Sequence, residues 1–186
     1  MALLKDHGEI WMTGEELLRR PDLEPCELID GRVVPRMPTG NKHADLESEL
    51  NMRLRLYGKE SKRGRAVGGE AGIYIRRNPD TVRAADVAFI SKERDLQPEA
   101  MGFLEVAPEL VVEILSPDHR SGRLDEKLRD YFSAGVQVVW VVDPEKRRVL
   151  IHRSPSDVAV LDERQSLTDE ELLPGFSLPL SELFPS

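Results

Sequence analysis

The chain has 186 residues, 40% of them hydrophobic and 32% charged, with a formal net charge of −8. That length suits one domain with a real core better than two, and the acidic balance argues against a protein that coats nucleic acid non-specifically. No apolar stretch reaches the roughly 20 residues of a membrane-spanning helix, the opening MALLKDHGEI lacks the apolar centre of a secretory signal, and a lone Cys26 excludes an intrachain disulfide framework and favours a reducing, cytoplasmic setting.

Thr13 followed by Glu16 is a capping-box pattern that opens a first short helix, and Pro21 ends it. CELIDGRVVPR reads as a β-hairpin turning at Asp30-Gly31. Leu46, Leu50, Leu54 and Tyr57 recur at helical spacing, so an amphipathic helix is expected from His43 to Tyr57. The glycines of AVGGEAG carry neither a P-loop lysine nor a dinucleotide fingerprint, and read as a bend or bulge at the start of the strand EAGIYIRR. Asn78-Pro79-Asp80 turns the chain towards a second strand, AADVAFI. ELVVEIL, dense in β-branched residues, reads as a strand buried on both faces and stopped by Pro117.

GRLDEKLRDYFSAG places Leu124, Leu128 and Tyr131/Phe132 on one helical face and stops at Gly135. VQVVWVVD is another buried strand, with Trp140 as a core residue, and Asp143-Pro144 turns it into RRVLIHR. The last stretch, with Pro174-Gly175 and Pro179, reads as an irregular tail lying on the surface or against a partner. This order of elements implies an α/β fold with a mixed sheet flanked by helices on both faces. The sequence has no internal repeat and no low-complexity linker.

Two acidic residues stand inside these strands where apolar side chains are expected: Asp86 in AADVAFI and Glu113 in ELVVEIL. A buried carboxylate is costly unless it is paired, bound or hydrated. If the strands are neighbours, the two form an oxygen-rich site for a hard divalent cation, with a backbone carbonyl such as that of Ile114 as a further ligand. The alternative is an exposed edge position, or an ion pair with an arginine such as Arg83. Lys127, beside the apolar stripe of the following helix with Tyr131 one turn on, is either a solvated or intrahelically paired lysine or a cation that orients a water and balances phosphate charge. The basic run from Arg53 to Arg65, with Arg76, Arg77 and Arg83, is either a solvated helix end and loop or a phosphate-facing surface. Ser116, Asp118 and His119 suggest a hydrolase triad, but no G-x-S-x-G elbow surrounds Ser116. His43, His119 and His152 are scattered, and with one cysteine they make no structural zinc pattern.

CELIDGRVV, VRAADVAFIS, APELVVEILSPD, DEKLRDYFSAGVQVVWVVDPE and LLPGFSLPLSELF occur in an order that closely resembles the Uma-two group of restriction-endonuclease-like proteins, within the PD-(D/E)XK nuclease superfamily, from Thr13 to Phe184. The resemblance implies a single restriction-endonuclease-like domain over 1–186, with an N-terminal helix and hairpin extension over 1–40, a core over 41–153 and a C-terminal extension over 154–186. It maps the signature aspartate onto Asp86 and the second acidic residue onto Glu113. The signature places lysine two residues later, where this chain has Leu115; Lys127 matches the lysine that some branches carry on the following helix. His43 and Glu27 match recurring family positions, and for both a structural role, as helix cap or hairpin partner, is preferred.

The resemblance further implies a magnesium-dependent endonuclease, with manganese as a substitute, that cleaves DNA as a homodimer with one site per strand and no membrane partner. The alternatives are a catalytically silent protein that keeps the fold for binding or regulation, and a phosphodiesterase acting on RNA or nucleotides.

Overall fold

The computed structural model describes residues 3–5, 9–116 and 121–184. Pro117, Asp118 and His119 lie outside them. Two short strands, β1 (Leu3–Lys5) and β2 (Glu9–Trp11), precede α1 (Gly14–Leu17). Thr13 caps α1 as expected: its hydroxyl accepts from the Glu16 amide while the Glu16 carboxylate accepts from the Thr13 amide. β3 (Cys26–Ile29) and β4 (Arg32–Pro35) form the expected hairpin, with Asp30 and Gly31 both at positive φ in the turn.

The helix expected from His43 to Tyr57 is α2 (Asn41–Ser61), longer at both ends. β5 (Gly64–Arg76) starts before the glycine cluster and runs through it, so the expected bulge lies inside the strand. Then follow β6 (Thr81–Ser91), β7 (Leu110–Ile114), α3 (Ser121–Ala134), β8 (Val138–Asp143) and β9 (Arg148–His152). Gly135, at φ 102°, ends α3 in the left-handed conformation that a glycine adopts without steric cost.

These strands join one mixed sheet. Within it β7 pairs β8 in parallel through the α3 crossover, while β6 pairs antiparallel with β7, β3 and β5. Strand alternation sends the two faces of β7 and β8 to different helices. Leu110, Val112, Ile114 and Trp140 pack with Leu46, Leu50 and Leu54 of α2, whereas Val111, Val139 and Val141 pack with Leu128 and Tyr131 of α3. The sheet is therefore covered on both faces, and Glu113 shares the parity of Val111, on the α3 face.

The C-terminal stretch is not a surface tail. β10 (Val158–Asp162) adds a strand beside β9, β11 (Ser166–Thr168) and β12 (Ser177–Pro179) make a small separate sheet, and α4 (Leu180–Leu183) follows. Leu167, Leu173, Phe176, Leu178, Leu180, Leu183 and Phe184 are buried in the same core as α2 and Trp140. The turn at Gly175 (φ 79°) folds the apolar run LLPGFSLPLSELF back, so that Phe176 stacks on Trp140 with ring centroids 5.8 Å apart. Removing those rings from water outweighs the tendency of the prolines to leave the segment irregular. Phe176→Ala is expected to cost about 3–5 kcal/mol in urea denaturation; a loss under about 1 kcal/mol would mean that the segment adds little to the core.

Candidate active site

The ladder registers bring the two strand-borne carboxylates together. Val87 pairs with Val112 in the antiparallel β6–β7 ladder, so Asp86 and Glu113 take the next opposing positions. On the other side of β6, Gly68 pairs with Val87 and Ala71 with Ala85, which leaves Gly69 and Glu70 together opposite Asp86. This is a β-bulge, with Gly69 at φ 80° and Glu70, a non-glycine in the left-handed region, at φ 61°. The Glu47 carboxylate of α2 holds it by accepting from the Gly69 amide at 2.8 Å. Regular pairing is interrupted around Asp86, a position where bulges commonly re-aim side chains.

Asp86 is buried to 1% exposure. Its Oδ2 accepts from the Ile114 amide at 2.6 Å and lies 3.2 Å from His43 Nε2. Its Oδ1 is buried with no hydrogen-bond donor; the nearby cation is Arg36, whose Nη2 lies 3.8 Å away. Burial alone would raise the Asp86 carboxyl, but the His43 hydrogen bond, Lys127 and the Ile114 amide outweigh it and hold it below the ordinary aspartate range. His43 is drawn above the ordinary histidine value by Asp86 despite its own burial. It is not the helix cap: Gly40 holds that position, and His43 turns its ring inward from the first turn of α2.

Glu113 is also 1% exposed. Lys127 Nζ donates to both its oxygens, at 2.8 and 2.7 Å, and Tyr131 Oη donates to Oε1 at 2.6 Å. The i, i+4 spacing of Lys127 and Tyr131 on α3 delivers both groups to one carboxylate. Desolvation pushes Glu113 above the ordinary glutamate range, with Lys127 opposing and Asp86 adding to the rise. The Tyr131 phenol is pushed well above its ordinary value by burial and by Glu113.

Lys127 donates as well to the Ala84 carbonyl at 3.0 Å and sits 3.4 Å from Glu27 Oε1. It is paired across the sheet, not within its helix. Glu27 accepts from Arg83 Nη1 at 3.0 Å and from the Ala84 amide at 3.1 Å; burial raises its carboxyl, but Lys127 and Arg83 bring it below the ordinary range. Arg83 is shared between Glu27 and Asp130, not with Asp86.

The structure thus brings together Asp86, Glu113, Lys127, Glu27 and His43, with Ile114 joined to Asp86 through its amide. It adds Arg36, which donates to Glu70 and to the Ala84 carbonyl, and Glu70 itself. Nothing in the sequence pairs Arg36, at the end of a hairpin, with Asp86, and Glu70 stands out only as the acidic residue among the AVGGEAG glycines. Much of the basic run is spoken for: Arg53 pairs with Glu49 and Glu182, Arg65 with Asp95, Arg76 with Asp30 and Arg77 with Glu105.

Among the described residues no set of three His, Cys, Asp or Glu side chains is placed to hold a metal ion. Lys127 stands between Glu113 and Glu27, and Arg36 between Glu70 and Asp86. The donors nonetheless suit a hard cation. Magnesium characteristically takes one or two carboxylates and completes its shell with water and substrate phosphate. An orphaned buried carboxylate oxygen, Asp86 Oδ1, is the acceptor such an ion would satisfy.

A large mixed sheet covered by helices on both faces, with two opposed carboxylates at an interrupted ladder, defines a nuclease-like α/β fold. A crystal structure described as "a putative nuclease belonging to DUF820" from Anabaena variabilis ATCC 29413 shares it, with a TM-score of 0.77 and 24% sequence identity over 93% of this chain and 97% of that one. The family described as "Putative restriction endonuclease" (Uma2) matches residues 14–181, and the chain belongs to it. No curated protein matches the chain. No helix among the described residues is long and apolar enough to cross a membrane.

Proposed function

We propose that the chain is a metal-dependent endonuclease that hydrolyses DNA phosphodiester bonds, acting as a cytoplasmic homodimer of single restriction-endonuclease-like domains. The observation that carries this reading is Asp86 Oδ1, a buried anionic oxygen without a donor, on a residue opposite a second buried carboxylate across the β6–β7 ladder. Asp86, Glu113 and the Ile114 carbonyl would hold magnesium, or manganese in its place. The ion supplies a water of lowered pKa and charge stabilisation for the scissile phosphate.

This chain's own residues do the rest. Lys127 clamps both Glu113 oxygens, opposes the upward push of burial and keeps the carboxylate aimed, while Tyr131 fixes one oxygen by hydrogen bonding. His43 and the Ile114 amide hold Asp86 Oδ2, which leaves Oδ1 as the free ligand atom. Arg36 provides a guanidinium beside Oδ1 for phosphate charge.

The test is incubation of the purified chain with plasmid and single-stranded DNA in magnesium or manganese. Nicking or cleavage is expected with metal and none in chelator, and Glu113→Gln is expected to lower the rate by at least about a hundredfold. Undiminished cleavage by that variant would remove Glu113 from the site. Cleavage of RNA or nucleotides in place of DNA would change the substrate class.

One observation favours the silent alternative. The ammonium of Lys127 is fully engaged by Glu113, Ala84 and Glu27, as in a structural ion cluster. An unmodified protein that neither cleaves nor binds metal would establish that reading.

A further inference from the structure

Between α2 and the start of β5 runs a groove of about 780 Å³. Its α2 wall is built of two side-by-side rows at i, i+4 spacing: Ser48, Met52 and Leu56 in one, Asn51, Arg55 and Lys59 in the other. Gly64 and Ala66 of β5 form the opposite wall. The first row is largely apolar, and Met52 and Leu56 are 45% and 48% exposed. The second row contains no acidic residue, and its Arg55 and Lys59 form no ion pair among the described residues. They belong to the part of the basic run that carboxylates leave unanswered. Arg65 also lines the groove, but it pairs with Asp95.

The cationic row leads back to the proposed reaction centre. Continued at the same spacing towards the start of α2, it passes through Glu47, which holds the Gly69 amide in the bulge opposite Asp86. One turn earlier it reaches His43, whose Nε2 lies 3.2 Å from Asp86. Asn51 links groove and bulge. Its side chain lies so close to Gly68 that a Cβ there would come within 2.7 Å of Nδ2, and its Oδ1 is buried without a hydrogen-bond donor. At the α-helical rise, the groove extends roughly 16 Å from Ser48 to Lys59.

A nucleic-acid strand is two-sided in the same way, with phosphates along one edge and bases along the other. Arg55 and Lys59 offer charge to the phosphates, and Met52 and Leu56 offer an apolar floor to the faces of bases. In a duplex those faces are covered by stacked neighbours, so only an unpaired strand uses both rows. We infer that this groove binds a single-stranded flank of the substrate, running from Asp86 along α2. The inference rests on the nuclease reading and makes it narrower: a good substrate carries unpaired nucleotides beside the scissile phosphate.

The test measures fluorescence anisotropy in chelator, so that nothing is cleaved. The probes are a single-stranded thymidine dodecamer, the same strand without bases, and a duplex of the same length. Wild-type protein is expected to bind the thymidine strand at least about tenfold tighter than either of the others. Met52→Ser/Leu56→Ser is expected to lose the preference over the baseless strand and to keep the salt slope. Arg55→Ala/Lys59→Ala is expected to lose about 0.7 of that slope for each cation removed. All four side chains are exposed, so circular dichroism is expected to show both variants folded. Equal binding of the three probes by the wild type, or wild-type behaviour in either double variant, overturns the inference. A wild-type dimer that Met52→Ser/Leu56→Ser splits, with binding unchanged, makes the groove an interface between copies and overturns it as well. Preference for the thymidine strand in a protein that cleaves no nucleic acid supports the groove and refutes the nuclease reading. Metal-dependent cleavage without the preference refutes the groove alone.

Discussion

Lys127→Ala is expected to destabilise the protein by about 3–5 kcal/mol near neutral pH, the cost of removing one partner from a buried ion pair. The size follows from what is left behind. Glu113 keeps only the Tyr131 hydroxyl, and Glu27 loses one of its two cations. With Lys127 gone, only the Tyr131 hydrogen bond opposes the desolvation and the Asp86 charge that already push Glu113 upwards.

The sign of the pH dependence follows from that rise. A carboxyl whose folded-state pKa is raised binds its proton more readily in the folded than in the unfolded chain, so its contribution is complete at acid pH and is lost as pH climbs through the raised value. The penalty of the variant is therefore smaller at about pH 5 than at about pH 8. Urea denaturation of both proteins at the two pH values measures it. A penalty that does not vary with pH would mean that Glu113 is not the group left uncompensated. Lys127→Met/Glu113→Gln is expected to recover much of the loss, since it removes the buried charge together with its partner.

The same residues explain what could be read from the chain alone. Val, Ile and Trp crowd into ELVVEIL and VQVVWVVD because both faces of β7 and β8 are covered, and such runs announce buried strands in any context. α2 and α3 were legible because each buries one stripe against the sheet. The C-terminal segment was not: its apolar residues follow neither a 3.6 nor a two-residue period, since it packs through turns, a two-stranded sheet and a single helical turn. β10 was hidden for the opposite reason. It lies at the sheet's edge, and Val158 and Val160 are 43% and 50% exposed, so burial leaves little pattern on them.

The candidate site divides along similar lines. A charge inside an apolar run is visible locally, so Asp86 and Glu113 could be singled out before their strands were known to be adjacent. Lys127 could be noticed because it borders the stripe of α3. Which partner each charge takes could not be read, because that depends on register. Arg83, between Val82 and Ala84 in β6, turns to Glu27 and Asp130 and leaves Asp86 to His43 and Arg36. The Arg36–Glu70 pair exists only because two residues of β5 bulge opposite one residue of β6. Glycines signalled the bulge; nothing signalled the arginine that it faces.

Asp86→Asn is expected to abolish metal binding while leaving the fold intact. The substitution keeps the shape of the side chain, and the remaining carbonyl oxygen can still accept from the Ile114 amide. The new amide nitrogen then faces the side where Oδ1 now lies, offering donors to a position that needs an acceptor. In the wild type, manganese or magnesium at about one hundred times its dissociation constant would stabilise the fold by about 2.7 kcal/mol, or roughly 5–10 °C in melting temperature for a domain of this length. In the variant that shift is expected to vanish, and cleavage with it. A pH series separates metal loss from general damage. Asp86 is held below the ordinary aspartate range, so it contributes stability above that range and loses the contribution as pH falls through the depressed value. The metal-free wild type and variant should therefore converge in stability towards acid pH. A full metal-induced shift in Asp86→Asn would place the cation elsewhere, and Arg36→Ala supplies the counter-check. Removing the guanidinium 3.8 Å from Oδ1 takes away a competing cation, so metal affinity should rise in that variant even where phosphate binding weakens.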